Sequence, residues 1–328
     1  MNVTLFSTKP YDITFFEQTN AAFGFALRFL KVPLDETTAE LVTDSPVVCL
    51  FVNDQAHAAV IRKLAAQGVQ LIALRCAGFN NVDLEAARQH GIRVVRVPAY
   101  SPHSVAEHTL ALILALNRKT HRAYNRVKEG NFALDGLMGF DLFGRTVGLV
   151  GLGKIGKVTA RILKGFGCHL IAFDVMEDEE ARQLGIEYVS LVELLNQSDI
   201  ITLHCPLTPQ THHLINHDTL HLMKKGVMLI NTGRGALIDT QAVIESLKSG
   251  QVGYLGLDVY EEESHLFFED LSDTIIQDDT FMRLLTFPNV LITGHQAFFT
   301  RNALGSIAET TCQNIQAFFR GEVSGNEL

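Results

Sequence analysis

No apolar run in this chain approaches the length needed to cross a bilayer. The longest, around Leu110 to Leu116, suits a core or interface helix. The N-terminus, Met1-Asn2-Val3-Thr4-Leu5-Phe6, lacks the basic segment and long apolar stretch of a secretion signal and reads as a strand. Together these absences predict a cytoplasmic location and no membrane partner. There are only five cysteines, Cys49, Cys76, Cys168, Cys205 and Cys312, and no two are spaced CxxC. An odd count without paired spacing argues against a disulfide framework and predicts buried, reduced thiols. Basic excess is missing too: the formal net charge is -9, which argues against a nucleic-acid partner. Much of that acidity is local. Residues 261–279 carry eight Asp or Glu and no Lys or Arg, so the rest of the chain is close to neutral.

The 328 residues, 47% of them hydrophobic, suffice for two domains with their own cores. Short β-branched runs alternate with helical periods. Residues 2–7, 47–52, 69–74 and 92–97 read as buried strands, with helices near 12–23, 55–67 and 83–90 between them. Ser101-Pro102 is an N-cap and first-turn pair that opens a long helical stretch over 102–129. A second set follows, with strands at 146–150, 168–173, 199–203, 227–231, 253–258 and 289–293. Its helices are expected at 154–166, 190–197, 217–224 and 239–249, and a final helix at 301–320. The pattern is βαβ throughout, hence α/β: two doubly wound parallel-sheet domains, Rossmann-like or flavodoxin-like, with a cleft between them. The final helix does not extend the second sheet. The expected division is therefore a discontinuous substrate-binding domain, 1–100 plus 299–328, and a nucleotide-binding domain, 101–298.

Gly151-Leu152-Gly153-Lys154-Ile155-Gly156 is a GxGxxG loop in its proper context. The strand Thr146-Val147-Gly148-Leu149-Val150 precedes it, and a helix starts within it. Gly151 makes the tight turn, Gly153 lets backbone approach a pyrophosphate, and Gly156 lets helix and strand pack closely. The helix start offers N–H groups to the phosphates. Asp174 ends the next strand, where a carboxylate binds ribose hydroxyls and repels a 2′-phosphate. NAD is therefore expected rather than NADP.

Reducing a 2-keto acid with NADH needs a cation for the substrate carboxylate, an acid for the carbonyl oxygen, and a group that keeps that acid protonated. Arg234, His295 and Glu263 all follow strands of the second set, on the edge where such folds bind ligands. Arg234 sits between glycines in Asn231-Thr232-Gly233-Arg234-Gly235 and can grip a carboxylate with two hydrogen bonds; a surface turn arginine is the plainer alternative. His295 could equally be a structural histidine. Glu263 is one of three adjacent glutamates, for which a solvated acidic face is the plain reading. His217 and His221 are four apart, with His212-His213 nearby, a spacing able to bind zinc. With no Glu between them and Asp218 following as a cap, no metal is expected. His103, Glu107 and His108 are expected to make interdomain or subunit contacts.

Several motifs in order resemble the D-isomer-specific 2-hydroxyacid dehydrogenase family. They are Arg75-Cys76-Ala77-Gly78-Phe79-Asn80-Asn81-Val82-Asp83, Val97-Pro98-Ala99-Tyr100-Ser101-Pro102, the glycine loop, the run Met223 to Asp239, Gly256-Leu257-Asp258-Val259-Tyr260, and Gly294-His295-Gln296-Ala297-Phe298-Phe299. The resemblance implies that Arg234 binds and polarises the substrate, His295 donates the proton, and Glu263 is its carboxylate partner. The family spacing of five residues after Asp258 selects Glu263 among the three glutamates. Backbone N–H groups near Ala77 and Gly78 would meet the substrate carboxylate, and Tyr100 and Phe299 would line the pocket. Lys154 and Ile155 follow the pyrophosphate glycines. Cys205, Pro206, Thr211, Thr232, Gly233 and Asp258 match positions around the nucleotide, Thr211 where the family often has Asn nearby. Leu266-Phe267-Phe268-Glu269-Asp270 resembles an insertion of lactate-specific members. The implied reaction is reversible reduction of pyruvate to D-lactate in fermentation, and the long helix after Pro98 suits a homodimer or homotetramer. Hydroxypyruvate or larger 2-keto acids are the alternative substrates. An NADH-sensing corepressor-like protein is the alternative of another class; its relatives typically carry tails outside this core.

Overall fold

The structure is a computed structural model that describes residues 1–263 and 266–328. The chain divides into two compact units, Met1–Ser101 with Phe299–Leu328, and Pro102–Phe298.

The first unit is built on five parallel strands: β1 (Asn2–Leu5), β2 (Ala26–Phe29), β3 (Val47–Leu50), β4 (Leu71–Leu74) and β5 (Arg93–Val95), in the order β2-β1-β3-β4-β5. β3 and β4 are buried along their whole length. Strands covered on both faces read as unbroken apolar runs, which is why their sequence does not alternate. β2 was not anticipated. It is an edge strand whose residues are only half-buried or exposed, so it lacks that signal. Helices α1 (Pro10–Asn20), α2 (Ala58–Ala66) and α3 (Leu84–Gln89) connect the strands. Asp83 caps α3 by accepting from Ala86 N at 2.9 Å. The closing helix, Arg301–Arg320, buries Ala308, Cys312 and Ile315 against Val3, Leu5, Cys49 and Ala73 of this sheet. The last residues add to its far edge, with Leu328 N donating to Val94 O at 3.0 Å.

The second unit contains α4 (Pro102–Arg118), α5 (Thr120–Lys128), β6 (Thr146–Val150), α6 (Lys154–Gly165), β7 (His169–Phe173), α7 (Glu179–Gln183), β8 (Glu187–Tyr188), α8 (Leu191–Gln197) and β9 (Ile200–Leu203). It continues through α9 (His217–His221), β10 (Val227–Asn231), α10 (Thr240–Ser249), β11 (Val252–Leu257), α11 (Asp279–Leu285) and β12 (Val290–Ile292). The strand order is β12-β11-β10-β9-β6-β7-β8, all parallel. The order reverses between β6 and β9, the topological switch point at which such sheets bind dinucleotides. The first unit shows the other common doubly wound order, so both expected parallel sheets are present.

Two expectations need correction here. The helical stretch over 102–129 is two helices, broken at Lys119, whose φ of 49° is left-handed and cannot continue a right-handed turn. The second sheet has seven strands rather than six. The extra one, β8, is two residues long at an edge, too short to show a period.

Candidate active site

Backbone geometry assigns the glycines of the loop after β6. Gly151 holds φ +94°, and a Cβ there would lie 2.6 Å from Cys205 N. Only glycine fits that turn. A Cβ on Gly156 would lie 2.2 Å from Gly151 O, so this position is fixed by helix–strand packing. Gly153 differs, because its Cβ would meet nothing within 4 Å. The space above it is open, as a pyrophosphate cradle requires. Gly153 is the N-cap of α6, with Lys154 and Ile155 in the first turn. Asp174 faces this loop from the end of β7 and accepts from Leu152 N at 2.6 Å and Met176 N at 3.1 Å. These hydrogen bonds hold the acid and the glycine loop together.

Around β9 and its following loop, burial pushes the Cys205 thiol up to about 11, so it is protonated at neutral pH. Thr211 accepts from Thr208 N at 2.7 Å and donates to Pro206 O at 2.7 Å. Its hydroxyl thus closes the 206–211 turn. The Thr232 hydroxyl lies 2.9 Å from that of Thr109 on α4.

Beyond β10, Asn231 Nδ2 donates to Arg234 O at 2.8 Å, and Gly233 N donates to Asn231 Oδ1 at 3.0 Å. This turn presents Arg234, whose Nη1 donates to Gly233 O at 2.8 Å. Among the described residues no carboxylate pairs with its guanidinium. Gly235 is fixed by packing. A Cβ there would lie 2.1 Å from Tyr260 C and O, so it is the Tyr260–Glu261 backbone that requires glycine.

His295 follows β12 with φ 51°, a left-handed conformation rare outside glycine, asparagine, aspartate and histidine. Its N–H donates to Asp258 O at 2.7 Å. The Asp258 carboxylate is wholly buried and holds the rest of the turn: Gln296 N at 2.9 Å, Ala297 N at 2.8 Å and Thr293 Oγ1 at 2.5 Å. His295 Nδ1 lies 2.7 Å from Glu263 Oε1, and Glu263 Oε2 accepts from Tyr260 N at 2.9 Å. A carboxylate on Nδ1 leaves Nε2 as the ring nitrogen that can serve a ligand. Phe268 and Phe298 flank the ring, with centroids 5.6 Å and 6.4 Å away.

His108 on α4 packs against the residues beneath the His295 turn. Its Nε2 lies 3.0 Å from Thr293 Oγ1 and 3.3 Å from Asp258 Oδ1. A separation of 185 positions from Thr293 leaves no sequence signal for the pair.

The first unit carries the remaining residues. Ala77 and Gly78 follow β4. Ala77 O accepts from Arg96 Nη1 at 3.0 Å, and Gly78 O accepts from Cys76 Sγ at 3.3 Å. Phe299 packs edge-on against Tyr11 at 4.8 Å between centroids, and Tyr100 is half-buried. Arg75, two positions before Ala77, has no role assigned by the sequence. It is fully buried, with Nε 3.3 Å from Asp12 Oδ1, Nη2 donating to Ser7 O at 3.0 Å, and its guanidinium over the Phe51 ring. Its position inside a motif was the available signal.

Known proteins are similar to this chain in sequence and fold. The sequence profile of the D-isomer specific 2-hydroxyacid dehydrogenase NAD binding domain matches residues 110–297. D-lactate dehydrogenase of Escherichia coli (strain K12) is 53% identical over 328 residues, covering 100% of both chains. A solved structure of the pyruvate reductase of Chlamydomonas reinhardtii superposes with a TM-score of 0.94 at 50% identity, covering 99% of this chain and 98% of the other. D-lactate dehydrogenase from Aquifex aeolicus, solved with NAD and lactic acid, superposes with a TM-score of 0.89 at 34% identity, covering 100% of this chain and 99% of the other. With its glycine loop, its carboxylate-bound histidine and full-length identity above one half to a characterised relative, the chain belongs to the D-isomer-specific 2-hydroxyacid dehydrogenase family.

Proposed function

We propose that this protein is an NAD-dependent D-lactate dehydrogenase that reduces pyruvate reversibly to D-lactate in fermentation. The observation that carries the reading is the His295–Glu263 pair, 2.7 Å apart, standing beyond β12 and β11 of a sheet whose switch point bears the glycine loop. The full-length relatives named for D-lactate and pyruvate support the substrate assignment.

The residues present fit the cofactor. The open space above Gly153 and the N-terminus of α6 would hold the pyrophosphate. Asp174 would take the adenosine ribose, and Lys154, Ile155, Cys205, Pro206, Thr211, Thr232 and Gly233 would surround the nucleotide, with buried Asp258 bracing the turn that carries His295. NADH supplies the hydride when bound. Arg234 grips the substrate carboxylate with its planar fork, helped by backbone N–H groups at Ala77 and Gly78. Tyr100 and Phe299 limit the size of the substrate side chain. His295 Nε2 gives its proton to the substrate's carbonyl oxygen, and Glu263 stabilises the imidazolium before the transfer and orients the ring throughout. In the reverse direction His295 is the base.

We assign substrate binding to residues 1–100 plus 299–328 and cofactor binding to 101–298, bounds one residue from those of the two compact units. We further assign a homodimer or homotetramer working in the cytoplasm. Exposed Tyr124, Val127, Phe132, Leu134, Met138 and Phe143 on and after α5 are more apolar surface than a lone subunit needs; sedimentation at micromolar concentration tests the assembly.

The deciding experiment follows NADH absorbance with pyruvate, hydroxypyruvate and branched 2-keto acids, and then types the product with D- and L-specific assays. Pyruvate is expected to give the highest kcat/KM and D-lactate the only product. Preference for a larger acid would overturn the substrate. No turnover with any of them would overturn the enzyme reading.

A further inference from the structure

Among the described residues, one group of metal-capable side chains converges outside the His295–Glu263 pair. His212, His213 and Glu261 each offer a ligand atom, and these atoms all lie within 4.8 Å of one another. The histidines stand on the loop between β9 and α9, and Glu261 follows β11. Local sequence provides no acid for the histidine pair; the fold brings one from 48 positions away. His213 Nε2 is 2.5 Å from Glu261 Oε1, and the two imidazoles stack with centroids 4.0 Å apart.

The donors are positioned from behind. His213 has φ 50°, its N–H donates to Ala236 O at 2.8 Å, and its carbonyl accepts from Asn216 Nδ2 at 2.9 Å. The backbone therefore fixes where this ring stands. Glu261 Oε2 accepts from Thr240 Oγ1 at 2.9 Å, which orients the carboxylate as outer partners do in metal sites. His212 is exposed and can turn its ring inward without disturbing a core.

We propose that His212, His213 and Glu261 bind one late first-row divalent cation of the Zn2+ and Co2+ class, with solvent completing the shell. Two imidazoles and one carboxylate are a donor set that zinc accepts, whereas Mg2+ and Ca2+ require shells of oxygen. Metal–ligand bonds of about 2.0–2.2 Å set neighbouring donors roughly 3 Å or slightly more apart. The ion thus takes the place of the direct His213–Glu261 hydrogen bond, with an opening of less than about 1 Å. Bound there, it ties the loop after β9 to the stretch after β11 that also carries Glu263.

His217 and His221 are the competing pair, with Nε2 atoms 3.3 Å apart. Both are exposed, and no third donor joins them among the described residues. They serve as the control.

The test titrates Co2+ into the full-length, EDTA-stripped protein, follows the visible ligand-field bands, and competes them with Zn2+. Thermal unfolding with and without Zn2+ is the second readout, since an ion that binds only the folded state raises Tm. One equivalent is expected to bind and to be displaced by Zn2+. His212→Ala, at an exposed position, and Glu261→Gln should each weaken binding by at least about tenfold, the loss usual even for outer-shell partners. The Tm increment should vanish in His212→Ala, and His217→Ala/His221→Ala should leave both readouts unchanged. The proposal is overturned by absence of saturable bands in the unmodified protein. Bands that survive both His212→Ala and Glu261→Gln, or that disappear in His217→Ala/His221→Ala, overturn it equally.

Discussion

Glu263 Oε1 lies 2.7 Å from Nδ1 of His295, while the other oxygen of the same carboxylate accepts from Tyr260 N at 2.9 Å. One side chain therefore fixes both the histidine ring and the turn after β11. If His295 is the proton donor, His295→Gln lowers kcat by about two to four orders of magnitude, the usual worth of a general acid. Glu263→Gln leaves the acid in place but removes a charge-assisted hydrogen bond worth about 1.5–3 kcal/mol, so kcat falls by roughly ten- to a hundredfold. Steady-state kinetics with fluorescence titration of NADH separates chemistry from cofactor binding. A tenfold loss or less in His295→Gln would remove it from the role.

Arg234 has no carboxylate partner among the described residues, and its turn is fixed by Asn231 at 2.8 Å. Arg234→Lys keeps the charge and loses the planar fork. The expected result is a KM for pyruvate raised about ten- to a hundredfold, with NADH affinity unchanged. A normal pyruvate KM would show that the guanidinium does not hold the substrate.

The loop glycines separate folding from binding. Gly151→Ala combines φ +94° with a Cβ 2.6 Å from Cys205 N, and is expected to destabilise by more than about 1 kcal/mol. Gly153→Ala has open space, so its Tm stays level or rises, yet its methyl intrudes on the pyrophosphate and NADH affinity drops. Calorimetry and NADH titration of both variants check the contrast. Normal NADH affinity in Gly153→Ala would place the pyrophosphate elsewhere.

Asp174 accepts from Leu152 N at 2.6 Å and is assigned to the adenosine ribose. Asp174→Ala should weaken NADH by about ten- to a hundredfold while NADPH loses less, because the repelling charge is gone. The ratio of kcat/KM for the two cofactors is the measurement. An unchanged ratio removes Asp174 from cofactor selection.

Burial pushes the His204 imidazole down to about 4, and its Nε2 lies 3.0 Å from Thr202 Oγ1. In the unfolded chain a histidine titrates near ~6.5. Between those values the unfolded state binds the proton first, so stability present above about pH 6.5 is lost as pH falls toward 4. His204→Gln should therefore show a shallower decline of Tm over that window than the unmodified protein. Parallel declines would mean that His204 does not contribute to the acid sensitivity.

Parts of the site were legible because their cause is local. The glycine loop, α6 and Asp174 lie within one strand–helix–strand unit, where turn geometry and helix start dictate the residue types. The buried strands β3 and β4 announced themselves by continuous apolar runs. β2 and β8 did not, because edge strands are half-exposed or too short to show a period. For Gly235 the residue was conspicuous but its reason was not, since its neighbour Tyr260 comes from another strand end.

The sequence by itself determined the α/β class and the nucleotide loop, since each depends on backbone rules acting over a few tens of residues. Family spacing singled out Glu263, but its contact with His295 spans 32 positions. The Asp258 carboxylate beneath the His295 turn, His108 against Thr293, the buried Arg75–Asp12 pair and Glu261 beside His213 were decided only by the tertiary structure. Strand order and crossovers choose which distant loops meet at one sheet edge, and no local period encodes that choice.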